Sequence, residues 1–475
     1  MEMRNISKEI LELCVKNPIK KVFGYHKNWY KRDYIYHKTN DCILRLREFN
    51  IQKGDRIIYK GGNSMEWLCW NIATHQLGCI WVPIYREQSI SYDKYIIEDS
   101  SPKLLITDKR IKKNTYSIPT ILNTCHEEKN YDNLFSSYRP HDISTLIYTS
   151  GTSGGPKGVI LTHDNILSNI DSIHKMFHDL KDEKSISILP WSHIYGQTCE
   201  LYYNLLKENE TYISSDKNKF IKDCYQEKPT VLFLVPRILD ILRDHFIKNK
   251  MEWLAPYLLK KMLGGKVKII FSGGASLSKE TRDFFHRSGI LICEGYGCSE
   301  TSPMISLNHW KYPRMEDSVG SILDGINIKI IDGEICIQGP NVFQGYWNKV
   351  PFKEEWYKTG DYGSIKDNFL YYKGRKSENY KLSNGKFIDI FDLEKKIKPF
   401  LPNSHFIVHG EDYNYLITTK NISEKEKEEI NQSLEKYEKI KKVYTIMEKE
   451  MSNFLTLKMS IKRKELVDYI IKNYK

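Results

Sequence analysis

The chain has 475 residues, of which 40% are hydrophobic and 28% charged, and its formal net charge is +12. This composition supplies apolar side chains for a sizeable core and excludes a fibrous or largely disordered chain. At about 150 residues per domain, the length fits three units or one large α/β body with a smaller domain. No apolar run approaches the roughly 18 residues that a membrane span needs, and the first residues lack the apolar core of a signal peptide. We therefore expect a cytoplasmic protein.

The positive charge indicates a lysine-rich surface, which is compatible with peripheral contact with a membrane. No single basic block favours nucleic acid as a partner. The ten cysteines form no Cys-x-x-Cys pair, and several lie in apolar segments, such as Cys79. We expect buried, reduced thiols rather than disulfides or a zinc site.

Apolar runs alternate with amphipathic stretches through the first 300 residues. Strand-like runs lie at Arg56–Tyr59, Cys79–Tyr85, Thr145–Thr149, Ser185–Leu189, Thr230–Val235, Lys268–Phe271 and Leu291–Glu294. Helix-like stretches lie near Ser64–Leu77 and at Asn165–Leu180, Arg237–Phe246 and Lys279–Arg287. This alternation predicts an α/β fold, in which wound, mainly parallel sheets are covered by helices on both faces.

The pattern changes after Gly320. Ile326, Ile328 and Ile330 alternate with polar residues, and an Asp332-Gly333 turn follows, which predicts a hairpin in a small antiparallel β unit at about 320–374. Beyond that unit the chain becomes lysine-rich, and 423–426 resembles a capping box that opens a helix to about residue 437. We predict a body at 1–374 and a small, mobile α+β C-terminal domain at 375–475.

The strongest motif is the run Leu146–Gly158. A buried strand leads into a Thr/Ser/Gly loop, whose backbone N–H groups and hydroxyls can face anionic oxygens. Lys157 adds a point charge suited to a polyphosphate. The loop is not a Walker A box, because Gly158 and not Ser or Thr follows the lysine. Taken alone, such a loop can equally be a flexible surface turn.

The motif resembles the signature of the adenylate-forming (AMP-binding) superfamily of acyl-CoA synthetases, luciferases and peptide-synthetase adenylation domains. Further segments resemble family motifs in the same order, from about residue 20 to 465. They are Leu77–Tyr85, Thr230–Arg237, Phe271–Ser276, Glu294–Pro303, Gly333–Trp347, Lys358–Asp361 and Gly374–Gly385. The residues of the Glu-Gly-Tyr-Gly and Leu-Ser-Asn-Gly segments are most similar to those of long-chain fatty acid–CoA ligases.

The resemblance implies an acid–thiol ligase that uses ATP and Mg²⁺. A fatty acid carboxylate attacks the α-phosphate of ATP to give acyl-AMP and pyrophosphate, and the thiol of coenzyme A, a co-substrate, then takes the acyl group. Glu300, with Thr149, would ligate Mg²⁺, and His193 would orient the carboxylate. The implied ATP- and AMP-binding residues are Thr149, Ser150, Gly151, Thr152, Ser153, Gly154, Lys157, Gly273, Gly274, Ala275, Glu294, Gly295, Tyr296, Gly297, Ser299, Thr301, Asp361, Arg375 and Lys381.

Among these roles, adenine would lie against the face of Tyr296, and Asp361 would accept both ribose hydroxyls. The family places a catalytic lysine on the C-terminal domain. Matching Thr-Leu-Lys selects Lys458, whereas matching the later Lys-Arg-Lys places Ser460 there, and we favour Lys458. The family hinge falls on Ser377, where Asp or Lys is usual.

Several alternatives remain open at this point. His193 can be an ordinary core or surface residue, and Trp191 with 194–206 can line an acyl tunnel or simply fill the core. The acyl group can pass to a carrier protein instead of coenzyme A, or the chain can be a non-catalytic nucleotide-binding relative. No obligate protein partner is evident.

Overall fold

A computed structural model describes residues 4–110, 116, 118–123, 141–150, 156–214, 216–311, 313–383, 386–401, 404–410, 412–455 and 461–474. The side chains of residues 150, 217, 381 and 387 lie outside this description.

Helices and strands alternate along the described chain. The helices are α1 (Ile6–Lys16), α2 (Arg32–Glu48), α3 (Met65–Gln76), α4 (Ile90–Ser100), α5 (His163–Met176), α6 (Tyr203–Leu206), α7 (Phe220–Glu227), α8 (Pro236–Lys248), α9 (Ala255–Met262), α10 (Lys279–Arg287), α11 (Ile390–Ile397), α12 (Glu424–Gln432), α13 (Glu448–Met451) and α14 (Arg463–Tyr474). Tyr195–Tyr202 is a π-helix, and short 3₁₀ helices lie at Lys217–Lys219, Glu252–Leu254, Ser299–Thr301, Lys398–Phe400 and Ser452–Phe454.

The strands are β1 (Lys21–Tyr25), β2 (Asn28–Lys31), β3 (Arg56–Gly61), β4 (Ile80–Tyr85), β5 (Leu104–Thr107), β6 (Thr120–Leu122), β7 (Ile143–Ser150), β8 (Pro156–Thr162), β9 (Lys184–Ser187), β10 (Glu210–Ile213), β11 (Val231–Leu234), β12 (Ile269–Ser272), β13 (Leu291–Gly297), β14 (Met304–Leu307), β15 (Ser321–Ile322), β16 (Asn327–Ile331), β17 (Glu334–Gln338), β18 (Tyr357–Lys366), β19 (Phe369–Arg375), β20 (Tyr380–Lys381), β21 (Phe387–Ile388), β22 (Phe406–Gly410), β23 (Asn414–Thr418) and β24 (Ile440–Thr445).

Two large sheets dominate the architecture. One has six strands in the order β6-β5-β3-β4-β7-β8, all parallel except β8, which pairs antiparallel with β7. The other has nine strands in the order β11-β12-β13-β14-β15-β19-β18-β17-β16. Its first three strands are parallel, and the pairs beyond β13 are antiparallel. A further sheet has four strands in the order β2-β1-β10-β9. The predicted α/β fold with a small antiparallel part is confirmed.

The predicted hairpin is confirmed between β16 and β17. Ile331 pairs with Glu334, so two residues form the turn. Asp332 and Gly333 have φ angles of +51° and +80°. Positive φ at both turn positions is the type I′ geometry that matches the twist of the flanking strands, and Asp-Gly adopts it readily.

The C-terminal part carries its own three-stranded sheet, β22-β23-β24, with helices α11, α12 and α14. The capping box at Ser423 is present, but α12 ends at Gln432, so the predicted extension to about residue 437 is wrong. The reason is Asn431, whose side chain accepts from the N–H of Ile440 and donates to its carbonyl, which turns the chain into β24. The domain boundary at 374/375 stays a prediction.

Two apolar clusters pack on opposite faces of the β11–β12 pair. Phe233 and Phe271 belong to the cluster that extends to α5 and the π-helix. Leu232 and Ile270, on the alternate positions, belong to the cluster covered by α7, α8 and α9. This alternation follows from the two-residue period of a strand. It separates the inner face of the sheet from an outer helical layer.

The described cysteines are all free, and all but Cys298 are buried, as expected. In the described part of the chain, every helix is too short or too polar to cross a membrane.

Candidate functional site

The predicted phosphate loop closes the β7–β8 hairpin. Thr149 is the cross-strand partner of Lys157, so the two residues stand opposite each other at the base of the loop. The loop residues Gly151, Thr152, Ser153 and Gly154, and the side chain of Ser150, lie outside the described residues. Lys157 Nζ lies 5.1 Å from the centre of the Tyr346 ring, within cation–π range.

Tyr346 connects this lysine to Glu300. The segment around Tyr346 lies antiparallel to β8 through a bridge with Val159, and the Trp347 N–H donates to the Gly158 carbonyl at 2.7 Å. The Tyr346 hydroxyl donates to Glu300 Oε1 at 2.9 Å. Burial, followed by the charge of Glu300, raises the pKa of Tyr346, so its hydroxyl stays protonated as a donor.

Sequence reasoning assigned no role to Tyr346. The available signal was its place in the Gly333–Trp347 motif. Its contacts with two predicted site residues depend on the bridge between distant segments, which a local motif does not reveal.

Glu300 stands in the 3₁₀ turn Ser299–Thr301. Thr301 is fully buried, and its hydroxyl donates to the Pro303 carbonyl at 2.7 Å and accepts from the Cys298 N–H at 3.2 Å. These bonds hold the turn together, so the Thr301 side chain supports Glu300. Its predicted contact with phosphate stays a prediction.

Asp361 is a buried carboxylate between two predicted site residues. It lies on β18 opposite Arg375 on β19, whose Nε is 3.3 Å from Asp361 Oδ1. The Tyr296 hydroxyl donates to Asp361 Oδ2 at 2.7 Å. Burial raises the pKa of Asp361, and the Arg375 charge opposes that shift. Oδ1 is buried and accepts no hydrogen bond from the described residues, which leaves an acceptor for a ligand hydroxyl.

The Tyr296 segment is placed by close strand packing. A Cβ at Gly297 would lie 1.8 Å from the Pro303 carbonyl oxygen, so only glycine fits there. The Tyr296 ring packs against Tyr372 with ring centres 5.6 Å apart.

The loop that follows β12 is held against β13, the strand that carries Tyr296. Gly274 has a φ of +85°, which favours glycine, and Gly274 and Ala275 are exposed. Glu294 Oε1 accepts the Leu277 N–H at 3.3 Å and so fixes this loop against β13.

A small apolar cavity adjoins the polar residues. Tyr195, Cys199 and Tyr203 form one wall, and the other lining residues are Ile173, Phe233, Phe271, Ser272, Met304 and Leu307. This wall comes from the π-helix and the first residue of α6. Because a π-helix has more than four residues per turn, positions 195, 199 and 203 lie on one face. Tyr195 donates its hydroxyl to the Phe271 carbonyl at 3.0 Å, which ties this wall to β12.

Two residues predicted for the acid-binding region, Trp191 and His193, have different surroundings. Trp191 is fully buried and packs against Phe23 and Trp67 at 6.1 and 5.4 Å between ring centres, so core packing is its observed role. His193 is partly exposed just before the π-helix, and its carbonyl accepts the Gln197 N–H at 2.9 Å. Its predicted contact with an acid stays a prediction.

Two further predicted residues lie in the C-terminal part. Ser377 is exposed in the turn that follows β19. Lys381 ends β20, but its side chain lies outside the described part, and Lys458 lies outside it entirely.

These residues lie on a wound α/β body that is followed by a small C-terminal α+β part. The AMP-binding enzyme family model matches residues 15–347. The chain therefore belongs to the AMP-binding enzyme family. The predicted resemblance is confirmed, and with it ATP, Mg²⁺ and coenzyme A as the family's cofactors and co-substrate.

Two similar proteins are named as a long-chain fatty acid ligase and a long chain acyl-CoA synthetase. A long-chain-fatty-acid–CoA ligase of Mycobacterium bovis is 26% identical over 441 residues, which cover 78% of this chain and 73% of that protein. Long chain acyl-CoA synthetase 1 of Arabidopsis thaliana is 28% identical over 468 residues, covering 79% of this chain and 70% of its own length.

Solved structures show the same fold. ATP-bound MatB of Rhodopseudomonas palustris has a TM-score of 0.83 at 21% identity and covers 99% of each chain. The unliganded O-succinylbenzoate coenzyme A synthetase of Bacillus subtilis has a TM-score of 0.78 at 21% identity, covering 94% of this chain and 100% of its own. The family match and the named relatives together support an AMP-forming acid–thiol ligase.

Proposed function

We propose that the chain is a fatty acid–CoA ligase that forms acyl-AMP and then acyl-CoA. The observation that carries the proposal is the apolar cavity beside the polar network. Tyr195 and Ser272 line the cavity, and a Cβ at the adjoining Gly273 would lie 3.6 Å from the Tyr195 ring. An apolar tail in the cavity would therefore bring its carboxylate to the nucleotide side.

The described residues fit a nucleotide with its metal. Mg²⁺ prefers oxygen ligands, which the Glu300 carboxylate and the Thr149 hydroxyl supply. Lys157 would neutralise charge on the β- and γ-phosphates. Asp361 Oδ1, buried and without a hydrogen bond, would accept ribose hydroxyls, with Arg375 beside it. Mg²⁺ supplies charge neutralisation of the triphosphate.

In the first half-reaction a fatty acid carboxylate oxygen bonds to the α-phosphorus, and pyrophosphate leaves. His193, which lies just before the π-helix, would orient the carboxylate and so contribute to the rate by positioning the attacking group. In the second half-reaction the coenzyme A thiol, losing its proton, attacks the acyl carbonyl, and AMP leaves.

The C-terminal part at 375–475 would act as the moving domain. Lys458 would stabilise the α-phosphate during adenylation, and the exposed turn at Ser377 would serve as the hinge. Lys381 would lie near the nucleotide or the thioester site.

The test is a product analysis. The full chain is incubated with ATP, Mg²⁺, coenzyme A and a series of fatty acids, and acyl-CoA and AMP are measured by mass spectrometry. Acyl-CoA formed in equal amount to AMP is expected. Acyl-AMP that accumulates with coenzyme A present and is discharged only by a carrier protein would exclude coenzyme A as the acceptor.

A further inference from the structure

A strongly basic and aromatic surface lies on the outer helical layer, away from the candidate site. Trp253 is 78% exposed and Tyr257 is 65% exposed. They are four positions apart on the continuous 3₁₀ helix Glu252–Leu254 and α9, and so share one side of it. The inner side of the same segment buries Ala255 and Leu259. The two aromatic rings are therefore presented outward by a helix that is already anchored.

Six exposed lysines accompany the two rings. Within 245–266 there are five lysines and one acid, Glu252. The sixth lysine, Lys228, lies close by, because a Cβ at Gly264, just after α9, would be 2.7 Å from its Cα. We call this surface the basic aromatic face; it comprises Trp253, Tyr257, Lys228, Lys248, Lys250, Lys260, Lys261 and Lys266.

These lysines are not neutralised locally. Among the residues that the structure describes, none of the six forms an ion pair. The acids of the neighbouring α7 have other partners: Glu227 pairs with Lys184 at 2.7 Å, and Asp223 accepts the Ser214 hydroxyl at 2.7 Å. The face thus carries a concentrated share of the chain's net charge of +12.

This chemistry matches the interface of an anionic bilayer. Trp and Tyr place an apolar ring and a polar N–H or O–H at the level of lipid headgroups. Lysines bury their stems along apolar surface and extend their ammonium groups to anionic headgroups. Nucleic acids are usually bound along grooves or on sheets where bases stack, whereas these rings stand on the outer side of one helical turn.

We propose that the basic aromatic face docks the protein on the surface of an anionic phospholipid bilayer. This goes beyond the proposed activity, because the face packs on one side of the β11–β12 pair and the cavity lies on the other. Docking therefore needs no group of the candidate site, and it would hold the ligase where fatty acids partition.

The test is flotation of the full chain with phosphatidylcholine vesicles, with and without phosphatidylglycerol, at low and high salt. Binding is expected only with phosphatidylglycerol, and it should weaken at high salt because the charges are screened. Lys260→Gln combined with Lys261→Gln should weaken vesicle binding roughly 25-fold, because each lysine that is lost weakens it about fivefold. Trp253→Ala combined with Tyr257→Ala should weaken it roughly tenfold or more.

Matched controls lie on the C-terminal part, where the exposed Tyr437 is flanked by the exposed Lys436 and Lys439. Tyr437→Ala and the pair Lys436→Gln with Lys439→Gln should bind vesicles like the unmodified protein. All variants should keep pyrophosphate exchange with a short, water-soluble acid, so loss of docking and loss of activity are separate results.

The proposal is overturned if the unmodified chain does not float with phosphatidylglycerol vesicles, or if the face variants bind as well as the controls. It is also overturned if the face variants lose binding to single-stranded RNA, or lose dimerisation in light scattering, while vesicle binding is absent throughout.

Discussion

In the polar site Glu300 and Asp361 accept hydrogen bonds from tyrosines in distant parts of the chain, whereas one wall of the cavity comes from a single continuous stretch. Tyr346 reaches Glu300 across 46 positions, and Tyr296 reaches Asp361 across 65. Tyr195, Cys199 and Tyr203 follow one another at intervals of four. The polar site therefore depends on several pairings at once, while the cavity can change shape through one side chain.

This difference predicts two separable phenotypes. Changes in the polar network should act on ATP and Mg²⁺ with every acid, and changes in the cavity should act on the choice of acid with ATP use preserved. The predictions below test that separation, beginning with the largest expected effect.

Lys157→Met should lower ATP–pyrophosphate exchange by about 100- to 1,000-fold, because a positive charge aimed at the triphosphate is lost from the site. The loss should be the same for short and long acids. Exchange rates across an acid series measure it, and circular dichroism checks the fold. A loss confined to long acids would contradict the assignment of Lys157 to the nucleotide.

Cys199→Phe should fill part of the cavity and lower kcat/KM for a long acid roughly 10- to 100-fold relative to acetate. The KM for ATP should not change. Cys199→Ala is the matched control, which opens the cavity and should keep long acids as substrates. Equal loss with acetate would show that the variant disturbs the core and not the acid pocket.

Tyr346→Phe removes the hydroxyl that donates to Glu300 but keeps the ring beneath Lys157. We expect about a tenfold loss of exchange and a higher Mg²⁺ requirement, since a hydrogen bond to a charged group is lost. Tyr346→Leu, which also removes the ring, should lose more. Tyr371→Phe, on β19, serves as the control, and an unchanged Mg²⁺ requirement in Tyr346→Phe would argue against the bridge.

Glu200→Gln should change stability rather than the site. Glu200 is fully buried beside Trp191, whose indole N–H donates to Glu200 Oε1 at 3.2 Å, and burial raises its pKa to about 8. In the unfolded chain the group ionises near 4.5, so the folded state loses stability as pH rises from about 4.5 to about 8. The Tm advantage of Glu200→Gln should therefore grow over that range and level off above it.

Differential scanning calorimetry at several pH values measures this advantage. Glu428→Gln, at an exposed position of α12, is the control and should show no such growth. A constant Tm difference for Glu200→Gln would mean that the carboxyl is already charged in the fold.

The strands and several helices were predictable because burial and periodicity are local. The α10 bounds agree with the predicted Lys279–Arg287, and the Asp332-Gly333 hairpin has the expected turn. The end of α12 was not predictable, since it depends on the bond between Asn431 and Ile440.

The site shows the same limit. Asp361 and Arg375 were found as motif residues, and the pairing of β18 with β19 explains why they meet. Tyr346 was missed because its role arises from a bridge to β8. For residues 194–206 the sequence allowed two interpretations, an acyl tunnel or core packing, because a π-helix has no distinctive sequence period.

The most direct test of the account is ATP–pyrophosphate exchange by the purified chain with acids from acetate to oleate. The account predicts exchange that requires Mg²⁺ and a fatty acid and that disappears in Lys157→Met. If no acid in the series supports labelled pyrophosphate entering ATP, although ATP binds, the polar network serves nucleotide binding without acid activation.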